Sequence, residues 1–323
     1  LDLTQFNDLR VVALAGGVGG ARLAQGLAHC LSPAQLSVIV NTGDDFTHLG
    51  LAICPDLDTV MYTLAGLANP EMGWGLQGES FECLAALGRL GGPTWFRLGD
   101  HDLATHLLRT HSLQAGSRLT EVTGALARAL GVKPSLLPMS DDPCHTRVLT
   151  EEGEMGFQEY FVLRRWQPRV LGFRWEGGET AQPTPEVRAA LEAADLVIFC
   201  PSNPWVSLDP ILNLPGIRAL ISMRTAVAVS PILGGETVKG PAAKMYRELG
   251  MNPAATTVAA HYQGVLRGFV LDVVDAGQAS EVEALGLESA VMPTLMPGLP
   301  ERLAVAQAVL AFAADLYSKR KAG

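Results

Sequence analysis

Cysteine is sparse in this chain of 323 residues: there are five, at Cys30, Cys54, Cys83, Cys144 and Cys200, and no pair is spaced C-x-x-C. That excludes a cysteine-built structural zinc site and fits a reducing compartment. Basic residues are also few. Lys and Arg total 24 against 33 Asp and Glu, a formal net charge of −9. Non-specific binding to nucleic acid or to an anionic membrane surface needs the opposite balance, so neither partner is expected. No apolar run approaches the roughly 20 residues of a membrane span. Leu1 to Asn7 is polar and acidic, without the apolar core of a secretory leader, and the expectation is a cytoplasmic protein. The histidines show no ligand spacing: His101, His106 and His111 recur at five, which does not keep them on one helix face. What is present is a chain 48% hydrophobic and 18% charged. That suffices for a sizeable core, with no internal repeat and no low-complexity tract.

The organising stretch runs from Arg10 to Asp58. An apolar run, Val11-Val12-Ala13-Leu14-Ala15, leads into Gly16-Gly17-Val18-Gly19-Gly20 and then a helix over 21–31. A second apolar run, Val38-Ile39-Val40, leads into Asn41-Thr42-Gly43-Asp44-Asp45, and Cys54-Pro55-Asp56-Leu57-Asp58-Thr59 follows. This reads as strand, glycine turn, helix, strand, acidic loop. In an open parallel sheet the loops at the carboxyl ends of neighbouring strands face one crevice, where ligands bind. A glycine turn opening a helix presents bare N–H groups and a positive dipole end, which suits phosphate. Arg22, just inside the helix, adds a guanidinium that pairs with phosphate through two nitrogens. Asp44 and Asp45 suit a hard divalent cation such as Mg2+; a solvated turn pair is the alternative. Asp56 reads equally as a ligand or a helix N-cap, and capping is open for Asp100 and Asp102 too. A dinucleotide fingerprint is broken, because Gly17 and Gly19 fit but Arg22 holds the third glycine's place. That, with an acidic pair where a single ribose-binding acid belongs, disfavours a nicotinamide-dependent oxidoreductase.

Along the chain, helices are expected over 58–67, 81–90, 103–112 and 120–130, the last with Thr120 as N-cap. Segments 146–150 and 155–163 read as a hairpin and 170–175 as a further strand. Strand–helix alternation then resumes: helix 185–194, strand 196–200, strand 226–230, helix 241–249, strand 269–274 and a long helix over 301–319. The fold class is α/β, a Rossmann-like doubly wound and mostly parallel sheet with a helical and hairpin insertion. One domain spans 1–323, its core at about 10–69 and 176–323 and its insertion at about 70–175.

The ordered set of motifs carries a family resemblance. To those above are added Leu98-Gly99-Asp100-His101-Asp102-Leu103-Ala104-Thr105-His106, Leu137-Pro138-Met139-Ser140-Asp141-Asp142 and Pro201-Ser202-Asn203-Pro204. Together they resemble the 2-phospho-L-lactate transferase family, called CofD in archaea and FbiA in actinobacteria. The resemblance implies a step in the biosynthesis of coenzyme F420. A guanosine diphosphate ester of lactate, or of enolpyruvate, gives its phospho-acyl unit to the ribityl hydroxyl of the deazaflavin 7,8-didemethyl-8-hydroxy-5-deazariboflavin, and GMP leaves. It implies magnesium, a Rossmann-like core and a homodimer. It assigns metal binding to Asp44, Asp45 and Asp58, with Asp45 or Asp58 taking the hydroxyl proton. Gly16, Gly17, Gly19, Gly20 and Arg22 would cradle phosphates. Asp58 and Arg97 would contact the acceptor, with Trp74 or Trp95 flanking its flat ring, and Ser202 and Asn203 would meet the guanosine diphosphate end. One departure is His101, where the family often carries arginine. The competing reading is a non-catalytic regulatory protein of the same superfamily that binds UDP-sugars; Asp58 and Arg97 favour the transferase.

Overall fold

Seven short segments, each of four or five residues and the central ones wholly apolar or nearly so, pair side by side into one parallel sheet in the computed structural model, which describes residue 6 and residues 8–322. They are β1 (Val11–Ala15), β2 (Leu36–Val40), β3 (Ser135–Pro138), β4 (Leu196–Phe199), β5 (Thr225–Val229), β6 (Gly268–Leu271) and β7 (Glu288–Val291). The spatial order is β7-β6-β5-β4-β1-β2-β3, with every neighbouring pair parallel. The chain leaves β1 outward through β2 to β3, returns to β4 on the other side of β1, and continues outward to β7. That reversal opens a crevice at the carboxyl ends of β1 and β4.

Both faces of the sheet are covered, which is why β1, β4, β5 and β6 are buried along their whole length. Alternate residues feed two cores. Val12, Leu14, Ile39, Val197 and Phe199 enter one, and Val11, Ala13, Val38, Val40 and Ile198 enter the other. The second core is closed by helix α1 (Gly17–Cys30) and the C-terminal helix Leu299–Ala322. No helix of the described residues is long and apolar enough to cross a membrane. Of Leu1 to Asn7, only Phe6 lies among the described residues.

The fold class read from the sequence is the one observed. Several boundaries are corrected. β3 falls inside the stretch assigned to the insertion, so 70–175 is drawn too widely: helix Leu119–Ala129 and β3 belong to the main sheet's third unit. β3 is a four-residue edge strand ending in Pro138, tolerated there because an edge needs no donor on its outer side. The hairpin's second limb is only Gly153–Gly156. It joins His145–Thr150 and Val170–Glu176 in a separate three-stranded antiparallel sheet, and 159–163 coils into one wide helical turn. Thr120 is not an N-cap; it sits inside its helix, and Asp141 Oδ1 accepts from its N–H and its hydroxyl, both at 2.8 Å.

Candidate active site

The turn from β1 into α1 is glycine for two reasons. Gly17 has φ +62°, the left-handed region. The neighbouring positions have no room: a Cβ on Gly16 would lie 2.5 Å from Asp56 Oδ2, and one on Gly19 would lie 2.4 Å from the Pro201 carbonyl oxygen. The turn is thus pressed between the acidic helix α2 (Pro55–Leu64) and the loop after β4. Ser202 Oγ accepts from Gly16 N at 3.2 Å and donates to Gly16 O at 2.8 Å, tying the two sides of the crevice. Asn203 Oδ1 accepts from Trp205 N at 3.1 Å and opens the next helical turn. Both residues expected at the donor end therefore have structural hydrogen bonds here. Gly17 N donates to Asp56 Oδ1 at 2.6 Å; other N–H groups of a helix's first turn have no partner within the helix. Arg22 is half-buried, with no ion pair among the described residues. Lys239 donates to Met72 O at 2.7 Å, and burial with the nearby Arg22 charge pulls its ammonium below the ordinary value.

Asn41, fully buried at the end of β2, organises the acids. Its Nδ2 reaches Asp56 Oδ2 at 2.9 Å, Val206 O at 3.0 Å and Asp44 Oδ1 at 3.3 Å, and its Oδ1 accepts from Gly43 N. Gln158 Nε2 donates to Asp44 Oδ2 at 2.8 Å. Burial pushes Asp44 well above the usual carboxylate range, and the Asp56 and Asp45 charges add to it. Burial also pushes Asp56 up to about 6, against the hydrogen bonds from Asn41 and Gly17. Asp45 is raised by burial as well, and its Oδ1 is enclosed without a hydrogen-bond partner among the described residues. Asp44 and Asp56 share the Asn41 amide, and Asp45 adds an enclosed oxygen without a partner among the described residues, hard donors of the class a divalent cation takes.

Asp58 differs. Both its oxygens are engaged by Arg109, Nη1 at 3.0 Å from Oδ2 and Nη2 on Oδ1. Arg109 is 1% exposed and lies on helix α4 (Asp100–Gln114), α3 being Glu82–Arg89. His106 Nδ1 is 3.3 Å from Arg109 Nη1. A guanidinium cannot accept, so Nδ1 is the accepting nitrogen and Nε2 carries the proton. That proton faces Asp102 Oδ2 at 3.3 Å, and Tyr62 donates its hydroxyl to Asp102 Oδ1 at 2.6 Å. Asp58, Asp102 and His106 lie close enough to resemble a metal set, but the guanidinium already supplies the positive charge there.

Beside this network is a cavity of about 180 Å³, lined by Met72, Trp74, Glu79, Phe81, Arg97 and Asp102 among others. The Arg97 guanidinium stacks 4.5 Å from the Phe81 ring centroid. Trp74 lines the cavity; Trp95 instead packs with Phe46, His48 and Phe96. Asp100 is a cap, accepting from Glu82 N and Cys83 N at 3.0 Å. His101 is exposed, 3.8 Å from Glu79. Arg109, Tyr62 and Gln158 escaped the sequence reading, and Asn41 and His106 entered it within motifs but without a role. One signal was available: Asp102, His106 and Arg109 are spaced by four and three, one face of a helix.

A doubly wound sheet with a glycine turn and buried acids at its switch point, and a mostly apolar cavity beside the acids, defines a candidate α/β transferase. The family model described as 2-phospho-L-lactate transferase CofD matches residues 11–284, and the chain belongs to that family. The phosphoenolpyruvate transferase of Streptomyces griseus is 44% identical over 316 residues, 95% of this chain and 99% of the relative. The 2-phospho-L-lactate transferase of Methanosarcina acetivorans is 37% identical over 300 residues, 93% and 98% of the two chains. A crystal structure of a UPF0052 family protein from Bacillus halodurans superposes with a TM-score of 0.61 at 16% identity, covering 94% of this chain and 98% of that one, a likeness of fold. The chain is thus a transferase of the phospholactyl or phosphoenolpyruvyl type.

Proposed function

We propose that this transferase moves a phosphoenolpyruvyl or phospholactyl group from a guanosine diphosphate ester to the side-chain hydroxyl of the deazaflavin 7,8-didemethyl-8-hydroxy-5-deazariboflavin. GMP is released, as a step of deazaflavin coenzyme biosynthesis. The observation that carries this is the meeting of two half-sites. The glycine turn with Arg22 suits a diphosphate. The cavity with Trp74, Phe81 and Arg97 suits a flat acceptor, and the two sides meet where Lys239, near Arg22, donates to the carbonyl of Met72, which lines that cavity. Identity of 44% to a phosphoenolpyruvate transferase against 37% to a 2-phospho-L-lactate transferase favours the enolpyruvyl donor.

In this scheme the acceptor oxygen attacks the phosphorus bearing the acid unit, and the bond to GMP breaks with its electron pair leaving on GMP. The hydroxyl proton passes to Asp58, which keeps lone pairs beyond those used by Arg109. A loose phosphoryl transition state releases that proton late and asks little basicity of its acceptor. Arg22 and the first-turn N–H groups hold the diphosphate, and Arg97 orients the acceptor. Asp44 and Asp45 would hold magnesium, which supplies charge neutralisation on the diphosphate. The assembly we propose is a homodimer, read by light scattering.

The test supplies purified protein, magnesium and the deazaflavin with each guanosine diphosphate ester in turn, following GMP and product mass. Equal GMP and phospho-acyl deazaflavin is the expected result. Nucleotide binding with no product from any donor overturns the reading in favour of a regulatory binder.

A further inference from the structure

Asp102 is the side chain that joins the two half-sites, and neither a cap nor a surface role accounts for it. Asp102 is the third residue of its helix, which is preceded by Gly99 without a side chain, and Glu79 Oε1 accepts from Asp102 N at 3.2 Å. The capping role is therefore filled by Glu79, and the Asp102 carboxylate turns elsewhere. Its Oδ1 takes the Tyr62 hydroxyl at 2.6 Å and its Oδ2 faces His106 Nε2 at 3.3 Å. Tyr62 and His106 are themselves buried, at 1% and 2% exposure. The carboxylate is 13% exposed, and that exposure is to the cavity it lines with Arg97 and Trp74.

We propose that Asp102 is a catalytic residue on the acceptor side: its carboxylate accepts a hydrogen bond from a hydroxyl of the acceptor's polyol chain, while Tyr62 and His106 act as positioning residues that hold it there. The inference rests on the acceptor assigned above. A carboxylate has about four lone-pair positions, and the hydrogen bond from Tyr62 with the His106 contact leaves others for a ligand. Burial raises the proton affinity of Asp102, but His106, Tyr62 and Arg109 together more than offset it, so the carboxyl lies below its ordinary value and stays an acceptor. Asp102 therefore stays ionised and orients the polyol. The His106 ring lies between the two acids, Nε2 3.3 Å from Asp102 Oδ2 and Nδ1 3.7 Å from Asp58 Oδ2, and so spaces the hydroxyl held by one acid from the hydroxyl that reacts at the other.

The experiment measures equilibrium binding of the deazaflavin to the wild type, Asp102→Asn and Tyr62→Phe. It repeats each measurement with an analogue whose side chain is alkyl, without hydroxyls, and adds steady-state kinetics in both substrates. Asp102→Asn is expected to weaken deazaflavin binding about 10- to 100-fold, the range for a hydrogen bond to a charged group, with donor KM unchanged. Tyr62→Phe loosens it less. The alkyl analogue binds wild type and variants alike. Deazaflavin binding within twofold of wild type in folded Asp102→Asn overturns the inference, as does an equal loss for the alkyl analogue. If Asp102→Asn does not fold, Asp102→Glu and Tyr62→Phe decide by the same comparison. The expected binding pattern with no product from any donor supports the inference and overturns the transfer reading.

Discussion

Removing magnesium and raising the pH are expected to destabilise this protein together, because burial raises the carboxyls of Asp44, Asp45 and Asp56 and the magnesium proposed at Asp44 and Asp45 would offset the charge they gain on ionising. The clearest magnitude comes from Asp56, buried to 7% exposure and pushed up to about 6 from 3.8. The folded-state pKa is raised, so the native state holds the proton more tightly than the unfolded chain does. Stability from this group is fully present below about pH 4 and is lost as pH rises to about 6. The difference of roughly two units corresponds to about 3 kcal/mol at 1.36 kcal/mol per unit. Asp44 and Asp45 are shifted in the same direction by burial and add to the loss. Exposed carboxyls held low by arginines, such as Glu154 and Glu186, work the other way, so the comparison is made by difference. Urea unfolding is followed from pH 4 to pH 8 in chelator, for wild type and for Asp56→Asn. Wild type is expected to lose about 3 kcal/mol more than the variant across that range. Millimolar magnesium is expected to restore stability above pH 6 in the wild type. Equal pH slopes for the two proteins, or no response to magnesium, would refute the reasoning.

Arg109→Met leaves Asp58 buried without its partner and is expected to cost about 3–5 kcal/mol of stability; in a double-mutant cycle Asp58→Asn recovers at least about 2 kcal/mol of it, and strict additivity in urea melts would count against the pair. Gly19→Ala places a methyl 2.4 Å from the Pro201 carbonyl and is expected to cost about 1–3 kcal/mol, as overpacking does, with donor KM raised; an unperturbed melting curve and unchanged kinetics would show that the two loops are not held together as described. Arg22→Gln, at a half-buried side chain without an ion-pair partner among the described residues, is expected to raise donor KM about tenfold, about 1.4 kcal/mol, and to leave deazaflavin binding alone. Loss of acceptor affinity instead would move Arg22 to the other half of the site.

The main sheet was legible because its central strands are buried on both faces and read as unbroken apolar runs, with turn chemistry between them. β3 and β7 were not, for the same reason inverted: Ser135–Pro138 and Glu288–Val291 are four-residue edge strands, partly exposed, whose pattern resembles a loop. The glycine turn and the acids after β2 could be read because local spacing dictates them. Arg109 could not be read from local pattern, since its partner lies 51 positions away and an arginine on a helix is normally solvated. Yet its helix carried a usable contradiction. A face presenting Asp102, His106 and Arg109 in one row has charged groups where a docked helix needs apolar ones. Burying such a face is tolerable only if its charges meet opposite charges, and Asp58 is the charge that α4 was shaped to meet. Polar residues at helical spacing, on a helix whose outward face carries the exposed Leu107 and Leu108, therefore point to a buried functional network rather than to a solvated surface. By that argument the row on α4 ranks with the glycine turn as a marker of the site.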